Sequence, residues 1–416
     1  MLVVGGGGRE HALAWACSRS PLVSRVSCAP GNPGTGRLGV NWAISATDTL
    51  AITIRAKAEC VDLVVLGPDS SVAVGLADAL AEAGIPCFGP TRAAGQVETS
   101  KVFAKRLMTK IGIRTPPFVV CQDPKDALWH LRHHEAPVVV KADGLALGKG
   151  VFVCDTNAEA EQRIDELLVR GELGEAGRTV LIEDRIEGPE ISFFALCDGE
   201  RSVMLPPACD YKRALDGDQG GNTGGMGSYS PPQVESLHKL QDHAQWEIVS
   251  PLLAELRRMG RPFRGCLYVG GILVDRQINV LEFNARFGDP EVEVLLPRLP
   301  DPVPYLLAAA TGILELPAPE PLAPASLGVV AVRKPYPAPV TPGGLISGLE
   351  EAEEDGCIVF HMGTRLAPGG GVEVAGGRVF ILVATGEDLG SARQRAYSAM
   401  ERISFPEMRY RFDIGA

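Results

Sequence analysis

The chain has 416 residues, 45% of them hydrophobic and 22% charged, which predicts a folded globular protein of roughly two to four domains rather than a disordered one. Its net charge of −11 argues against a general nucleic-acid binder, which would carry a basic face. No apolar run approaches the roughly 20 residues of a membrane span, and the N-terminus has no signal core, so we expect a cytoplasmic protein without membrane partners.

The ten cysteines are scattered singly, with no C-x-x-C pair. Disulfide frameworks are typical of short secreted chains, and a thiolate metal site needs closely spaced cysteines. We therefore expect reduced thiols, most of them small residues of the core.

The first hundred residues alternate strand and helix signals, which predicts a parallel sheet covered on both faces. Glycine-rich stretches follow predicted strands at residues 5–8, 29–36 and 66–71. Glu10 stands where G-x-G-x-x-G needs its third glycine, so a full dinucleotide site is not predicted. The three loops should converge at the carboxyl edge of the sheet and together favour a phosphosugar or nucleotide pocket, although each alone is equally well a tight turn.

A helix is predicted over residues 99–112, with Thr99 or Ser100 at its cap and Gly112 at its end. Lys101 and Lys105 lie four residues apart on it. Such a like-charge pair is unfavourable unless an anion lies between the two ammonium groups. The alternative interpretation is a pair of solvated surface lysines.

Residues 138–150, VVVKADGLALGKG, run from a valine-rich strand into a glycine loop with Lys141 and Lys149. No Ser or Thr follows Lys149, so the segment is not a P-loop, but flexible glycines and two cations suit the β- and γ-phosphates of a nucleotide. The acidic residues of LIEDRIEGPE, at 181–190, either bind adenine and ribose or form a solvated rim.

The next part of the chain predicts a long helix near 232–259 and a hairpin that runs into LEFNARFGDPE at 281–291. The proline-dense residues 316–326 have the composition of a linker. Short strands and one helix then predict a small α+β domain at the end of the chain.

Alternation along the LEFNARF strand places Glu282, Asn284 and Arg286 on one face, and the apolar residues from Leu281 onward on the other. A carboxylate, an amide and a guanidinium in a row suit a metal ion bound to phosphate groups. The alternative is a half-solvated edge strand.

In this order the segments resemble the ATP-grasp ligases and, within them, the phosphoribosylamine–glycine ligase family. The resemblance covers nearly the whole chain. It is carried by GGGGREHALAW, APGNPGT, SKVFAK, VVVKADGLALGKGV, DYKR, GDQGGNTGGMGSYSP, LEFNARFGDPE, HMGT and YRFDIG.

The resemblance implies an ATP-grasp fold of α/β and α+β domains, with a Rossmann-like parallel sheet at the N-terminus, a small lid and a C-terminal α+β domain. The expected divisions are a phosphosugar-binding domain at 1–100, an ATP-grasp domain at 101–315 with its lid at about 115–190, a linker at 316–326, and the last domain at 327–416.

The family joins glycine to 5-phosphoribosylamine in purine biosynthesis, with ATP as co-substrate, through glycyl phosphate. The resemblance implies that Mg²⁺ or Mn²⁺ is held by Glu282 and Asn284. The implied ATP contacts are Lys105, Lys141, Gly148, Lys149, Glu183, Ile186 and Glu190. The implied phosphoribosylamine contacts are Gly8, Arg9, Gly31, Asn32, Gly67 and Asp69. The implied residues around glycine and the transferred phosphoryl group are Asp210, Lys212, Arg213 and Arg286.

The chain departs from the family pattern at Asp69, Leu147, Cys209 and Gly221. Two alternatives stay open: an ATP-grasp ligase for a different carboxylate and a different phosphosugar or amine, and a nucleotide-binding protein without catalysis. The intact acidic, amide and cationic residues argue against the second. Only small-molecule partners are implied, and a monomer is the simplest expectation.

Overall fold

The computed structural model describes residues 1–134, 137–145 and 150–416. The chain folds around several sheets, and each side chain of interest is positioned by the end of a strand or by a loop that follows one. None of the helices in these ranges is long and apolar enough to cross a membrane. All ten cysteines are free and seven are buried, which confirms the expected core thiols.

The predicted N-terminal parallel sheet is present. Its strands are Leu2–Gly5, Ser27–Pro30, Val40–Asn41, Val64–Leu66 and Cys87–Phe88. Its helices are Gly8–Ser18, Pro33–Leu38, Thr49–Ala58, Asp69–Ala73, Leu76–Glu82 and Gln96–Thr99. The first strand is central, because the chain extends the sheet on one side and then returns to the other. Such a switch point opens a crevice at the carboxyl ends of the strands.

The next helix, Lys101–Ile111, forms as predicted. The Ser100 side chain accepts the Phe103 amide at its start, and Gly112 ends it with a φ of 77°. Glycine suits this left-handed position, because a Cβ would be strained there.

A four-stranded antiparallel sheet follows. Its strands are Phe118–Cys121, Val138–Ala142, Val151–Cys154 and Val180–Asp184. Its helical segments are Pro124–Arg132, Asn157–Ile164, the π-helical Asp165–Val169 and the 3₁₀ turn Gly174–Gly177. The sheet buries its own apolar cluster, so it packs as a small unit.

A second antiparallel sheet contains the predicted hairpin. Its strands are Glu190–Asp198, Ser202–Met204, Arg264–Val274 and Gln277–Asn284. The helix expected near 232–259 begins only at Leu237, since Ser236 has a φ of 57°, outside the helical region. It continues as Leu237–His243, the π-helical Ala244–Val249 and Ser250–Arg258.

The last sheet combines two parts of the chain. Its strands are Cys209–Asp210, Gly227–Ser230, Ala325–Arg333, Ile358–His361, Arg378–Gly386 and Met408–Arg409. Two short ribbons are Arg213–Leu215 with Gln219–Asn222, joined by the 3₁₀ turn Asp216–Asp218, and Thr364–Leu366 with Val372–Val374. The helical segments nearby are Glu291–Leu295, Leu296–Arg298, Val303–Thr311, Leu349–Glu354 and Leu389–Met400.

The first two strands of this sheet lie well before the proline-rich segment, so the chain's linear order does not reveal that they belong with its end. The proline-rich segment is itself held in place, because the buried Arg298 donates to the carbonyls of Ala323 and Pro324. One buried cluster contains Val3, Phe194 and Val330, so three of the sheets share a core.

The helix Ser250–Arg258, which buries one face, provides a test of this packing. Leu252 is fully buried, so we expect Leu252→Ala to lower the free energy of unfolding by about 2–5 kcal/mol through lost burial and a cavity. Trp246, on the same helical stretch, is 66% exposed, and Trp246→Ala should change it by less than about 0.5 kcal/mol. Urea unfolding measures both. Equal stability of the two variants would contradict the described packing.

Candidate active site

One open cleft collects many of the charged residues that the sequence singled out. It has about 760 Å³ of empty space, counting its open mouth. Its lining includes seven predicted site residues: Asp69, Lys105, Lys141, Glu183, Glu282, Asn284 and Arg286. Residues from the parallel sheet, the following helix and both antiparallel sheets therefore meet in one place.

The floor of the cleft is the end of strand Gln277–Asn284. This strand pairs with Arg264–Val274 through a bulge in which Leu281 has no partner of its own. Val280 lies in the buried core, whereas Leu281 lines the cleft beside Glu282. The predicted placement of Leu281 on the opposite face is wrong, because an extra residue shifts the alternation of side chains by one.

Beyond the bulge the predicted polar row is present. Asn284 Oδ1 accepts a hydrogen bond from Arg286 Nη2 at 3.0 Å, and Asn284 Nδ2 lies 3.4 Å from Glu282 Oε1. Glu98 forms an ion pair with Arg286 at 2.9 Å and accepts the Ala285 amide at 2.8 Å. Sequence reasoning missed Glu98, since no local pattern connects it with a strand so far along the chain. Its carboxylate fixes the direction of the guanidinium.

The Glu282 carboxylate is ionised. Burial favours its neutral form, but the ammonium groups of Lys212, Lys141 and Lys101 outweigh that cost and lower the pKa of Glu282 below its ordinary value. An ionised carboxylate next to an amide is a hard oxygen donor set.

Two predicted lysines share one carboxylate on the wall of the cleft. Lys105 Nζ and Lys141 Nζ donate to Glu183 Oε2 at 3.1 and 2.8 Å. Burial, followed by the charge of Lys141, lowers the pKa of Lys105 to about 8, while Glu183 opposes the shift. Glu183 therefore joins Lys105 to Lys141 and does not lie between Lys101 and Lys105, where the sequence called for an anion. Lys101 does not join this pair: its Nζ lies 3.5 Å from the carbonyl of Gly144, although the residue lines the same cleft.

Glu183 was predicted to contact adenine. Its Oε2 is taken by the lysines, and its buried Oε1 has no hydrogen-bond partner among the described residues. One oxygen thus keeps the capacity to accept a hydrogen bond from a ligand. The predicted phosphate contacts Gly148 and Lys149 lie outside the described residues, as does the family departure at Leu147.

Among the residues predicted to contact ATP or glycine, five do not line the cleft: Ile186, Glu190, Asp210, Lys212 and Arg213. Three of them form a chain of charges, with Lys212 Nζ at 2.5 Å from Glu190 and at 3.9 Å from Asp210. Burial raises the pKa of Asp210 to about 7, against the opposing charge of Lys212. Arg213 Nη1 donates to a carbonyl of its own ribbon at 3.0 Å.

The first glycine loop is closed by Glu10. Its Oε2 accepts the Gly7 amide at 2.6 Å, and its Oε1 accepts from Arg9 Nε at 2.7 Å. Gly67 leaves room for this carboxylate, since a Cβ there would lie 2.1 Å from Glu10 Oε1. The amide of Gly7 is therefore already occupied. Sequence reasoning used Glu10 only as a missing glycine, although a glutamate at the third helical position is a recognisable capping signal.

The second loop joins the first, as predicted. The Gly31 amide donates to Gly5 O at 3.0 Å, and Asn32 Nδ2 donates to Gly6 O at 3.1 Å. Asn32 also donates to His361 O at 2.9 Å, which ties this edge of the parallel sheet to the last sheet.

The third loop leads into the cleft. Asp69 lies at the start of a short helix after Gly67, accepts the Ser70 amide at 2.8 Å and lines the cleft. Gly8 begins the first helix, where a Cβ would lie 2.6 Å from the buried Glu293. The predicted convergence of the three loops is confirmed, and Asp69 connects it with the polar floor.

The chain matches family models along most of its length. Residues 1–98 match the N domain of phosphoribosylglycinamide synthetase, residues 99–292 its ATP-grasp (A) domain, and residues 326–416 its C domain. The chain belongs to the phosphoribosylglycinamide synthetase family. The resemblance inferred from the sequence and the predicted fold class are confirmed.

Relatives in this family are similar over the whole chain. A phosphoribosylamine–glycine ligase of Phenylobacterium zucineum is 46% identical, and the match covers 100% of this chain and 98% of the relative. The ligase of Streptomyces coelicolor is 45% identical, with the same coverage of 100% and 98%.

Solved structures agree with the family and its fold. The structure of phosphoribosylamine–glycine ligase from Thermotoga maritima has a TM-score of 0.85 at 33% identity and covers 99% of both chains. A biotin carboxylase domain from Hydrogenobacter thermophilus, solved with MgADP, has a TM-score of 0.74 at 16% identity and covers 98% of this chain and 91% of its own. The second likeness concerns the fold alone.

The polar row in this chain fits a divalent cation that takes most of its ligands from phosphate oxygens and a few from the protein. Glu282 and Asn284 offer one carboxylate and one amide oxygen on one face. Within the described ranges, no three His, Cys, Asp or Glu side chains converge into a site made of protein ligands alone. Mg²⁺ commonly binds through one or two protein oxygens together with phosphate and water.

The shared carboxylate provides a test. Glu183 and Lys105 are each 2% exposed, so Glu183→Gln leaves two buried ammonium groups without a counter-charge. We expect a loss of about 3–5 kcal/mol in the free energy of unfolding at pH 7. The loss should shrink by pH 9. The pKa of Lys105 is already lowered by burial, and losing the Glu183 charge lowers it further, so the folded variant gives up this proton at a pH where the unfolded chain keeps it.

Urea unfolding at both pH values measures this effect. The control is Asp165→Asn, which breaks an exposed pair with Arg170 and should cost less than about 1 kcal/mol. A Glu183→Gln protein as stable as the control at pH 7, or one whose loss at pH 9 equals its loss at pH 7, would contradict the burial of this charged group.

Proposed function

We propose that this chain is an ATP-dependent ligase that joins glycine to 5-phosphoribosylamine, giving glycinamide ribonucleotide, ADP and phosphate. The observation that carries the proposal is the cleft in which the polar row Glu282, Asn284 and Arg286 faces Lys101 and the Lys105–Lys141 pair. In a chain of this family, these charged residues of the cleft suit a nucleoside triphosphate and a carboxylate.

The reaction proceeds in two steps. A glycine carboxylate oxygen attacks the γ-phosphorus of ATP, and the bond to the β-phosphate oxygen breaks, giving glycyl phosphate and ADP. The amine of phosphoribosylamine then attacks the glycyl carbonyl carbon, loses a proton and displaces phosphate. Because phosphoryl transfer depends mainly on positioning and charge neutralisation, fixed cations around the transferred group are the main requirement.

The ATP phosphates bind near Lys105, Lys141, Gly148 and Lys149. Adenine binds near Glu183 and Ile186, and the ribose near Glu190. The free Oε1 of Glu183 supports an acceptor role toward the adenine amino group, while its Oε2 holds the two lysines. Lys105 and Lys141 thus create a fixed positive potential in the cleft. This potential attracts the phosphates even though both ammonium groups are buried.

Glu282 and Asn284 would hold Mg²⁺ or Mn²⁺. When bound, such an ion supplies charge neutralisation between the phosphate oxygens. The lowered pKa of Glu282 keeps its carboxylate charged at neutral pH. Arg286, fixed by Glu98 at 2.9 Å, provides a permanent cation for the incoming carboxylate or the transferred phosphoryl group.

Glycine binds among Asp210, Lys212, Arg213 and Arg286. Phosphoribosylamine binds at the convergent loops, through Gly8, Arg9, Gly31, Asn32, Gly67 and Asp69. The position of Asp69, in the third loop and on the cleft lining, supports a path by which the amine reaches the acyl phosphate. The Gly7 amide already donates to Glu10. A phosphate bound at the first loop would therefore use the remaining backbone amides of that loop and the Arg9 guanidinium.

The proposal includes the biological setting. The enzyme acts in purine biosynthesis in the cytoplasm, as a monomer, on small molecules alone. It works through a phosphosugar domain at 1–100, an ATP-grasp domain at 101–315 with a lid at about 115–190, a linker at 316–326 and a last domain at 327–416. Closure of the lid would exclude water from the acyl phosphate.

The decisive experiment measures phosphate release from ATP and Mg²⁺ with glycine, with and without phosphoribosylamine formed in place. We expect full turnover only when glycine and the amine are both present. Turnover with formate but not glycine would favour a ligase for another carboxylate. ATP binding without turnover on any of these substrates would favour a non-catalytic protein.

A variant tests the polar floor. We expect Glu282→Ala to lower turnover at least about 100-fold, because the phosphoryl-transfer step loses a charged group that acts in its transition state. Gln277→Ala, at the exposed start of the same strand, should retain wild-type turnover. Steady-state phosphate release measures both, with circular dichroism to check folding. Retained activity of Glu282→Ala would remove this residue from the proposed site.

A further inference from the structure

The last residues of the described chain hold the ribbon that carries Arg213. From these contacts we infer that Arg411 is a positioning residue for the glycine end of the active site, acting through the ribbon Arg213–Leu215 and Gln219–Asn222. This inference rests on the proposed function, because it takes the adjoining Asp210, Lys212 and Arg213 as the glycine-binding segment.

Arg411 is a buried cation with several partners. Its side chain is 1% exposed. Nη1 donates to the carbonyl of Arg213 at 3.0 Å and to Asp218 Oδ1 at 2.9 Å. Nε and Nη2 donate to the two oxygens of Asp413 at 2.7 and 2.6 Å. A bidentate guanidinium–carboxylate pair has a defined geometry, so the remaining nitrogen is aimed at the ribbon.

Backbone amides on both sides add to the contact between the ribbon and the end of the chain. Asp216, in the turn of the ribbon, accepts the Phe412 amide at 2.8 Å, and Asp413 accepts the Gly217 amide at 2.8 Å. The ribbon and the end of the chain therefore exchange hydrogen bonds reciprocally.

The segment before the ribbon is held by the same residues. The Arg411 guanidinium lies 4.7 Å from the ring centroid of Tyr211, and the Tyr211 hydroxyl accepts the Gly415 amide at 2.9 Å. Tyr211 stands between Asp210 and Lys212, so this contact reaches the proposed glycine residues directly.

The ribbon has little other support. All four residues of strand Gln219–Asn222 are exposed, as is the turn Asp216–Asp218. An exposed two-stranded ribbon is marginally stable by itself. At its base, Thr223 donates two hydrogen bonds to the carbonyl of Lys212. The contacts with Arg411, Phe412 and Asp413 therefore hold the exposed turn and the carbonyl of Arg213.

Two variants break this contact from opposite sides. Arg411→Met removes the buried cation, and Asp216→Ala removes an exposed carboxylate that lies outside the buried clusters. We expect each to lower kcat/KM for glycine about 10- to 100-fold through misplacement of the binding segment. The KM for ATP should change less than the KM for glycine, because Lys105 and Lys141 keep their partner Glu183, and among the proposed ATP contacts only Glu190 pairs with Lys212. Arg411→Lys should restore only part of the loss, since lysine lacks the bidentate geometry.

Arg402→Ala is the matched control. Arg402 is a half-exposed arginine near the end of the chain that pairs with Asp355 at 2.6 Å and has no described contact with the ribbon. Its kinetics with glycine should equal those of the wild type. A loss of the same size in this variant would indicate general destabilisation and overturn the inference.

Proteolysis tests the contact without an activity measurement. The carbonyl that Arg411 binds belongs to the Arg213–Ala214 peptide bond, which trypsin can cleave. We expect faster cleavage there in Arg411→Met and Asp216→Ala than in the wild type or Arg402→Ala.

The outcomes separate the two hypotheses. Faster cleavage together with an unchanged kcat/KM for glycine would overturn the positioning role. Unchanged cleavage in both variants would overturn the contact itself. A wild-type enzyme without glycine-dependent turnover would contradict the proposed function, while the cleavage rates would still decide whether Arg411 holds the ribbon.

Discussion

Compensation of buried charge is the constraint on which the cleft depends. Lys105, Lys141 and Glu183 are almost fully removed from water. In such a buried position, an unpaired ion would destabilise the fold by several kcal/mol. Two cations share one carboxylate, so these three side chains together keep a net positive charge, which an anionic ligand can neutralise. The same logic applies across the cleft, where Glu98 neutralises Arg286 and also accepts a backbone amide.

This arrangement requires several parts of the fold to be in place together. Glu98 lies at the end of the parallel-sheet region. Arg286 lies just beyond a strand of the second antiparallel sheet, and Glu183 lies on a strand of the first antiparallel sheet. The cleft is therefore a product of the packing between sheets rather than of one motif. Exposed arginine pairs elsewhere on the chain could be lost with little effect, since solvent screens them.

The glycine loops illustrate how a local pattern acquires a different meaning in the fold. Glycine at position 67 is needed because the Glu10 carboxylate passes where a Cβ would stand. Asn32 donates to carbonyls of the first loop and of His361, so the edge proposed to bind phosphoribosylamine is also an interface with the last sheet. The proposed substrate-binding edge and the packing between these two sheets thus use the same residue, Asn32.

Local signals were sufficient where the physics is local. Helix Lys101–Ile111 has its serine cap and terminal glycine because those residues satisfy helix ends wherever they occur. The parallel sheet and the convergence of its loops follow from the alternation of strands and helices. Where a single residue changes the register, the pattern failed, as at Leu281, because a bulge depends on the partner strand and not on the strand's own sequence.

The sequence by itself determined the family, the order of the elements and the types of residue available for chemistry. Only the tertiary structure decided which of them meet. Glu98 joins Arg286, one oxygen of Glu183 binds two lysines, and Arg411 reaches a ribbon almost two hundred residues earlier in the chain. The reason is physical: a buried charge takes whichever partner the packing brings within hydrogen-bonding distance, and no spacing along the chain encodes that distance.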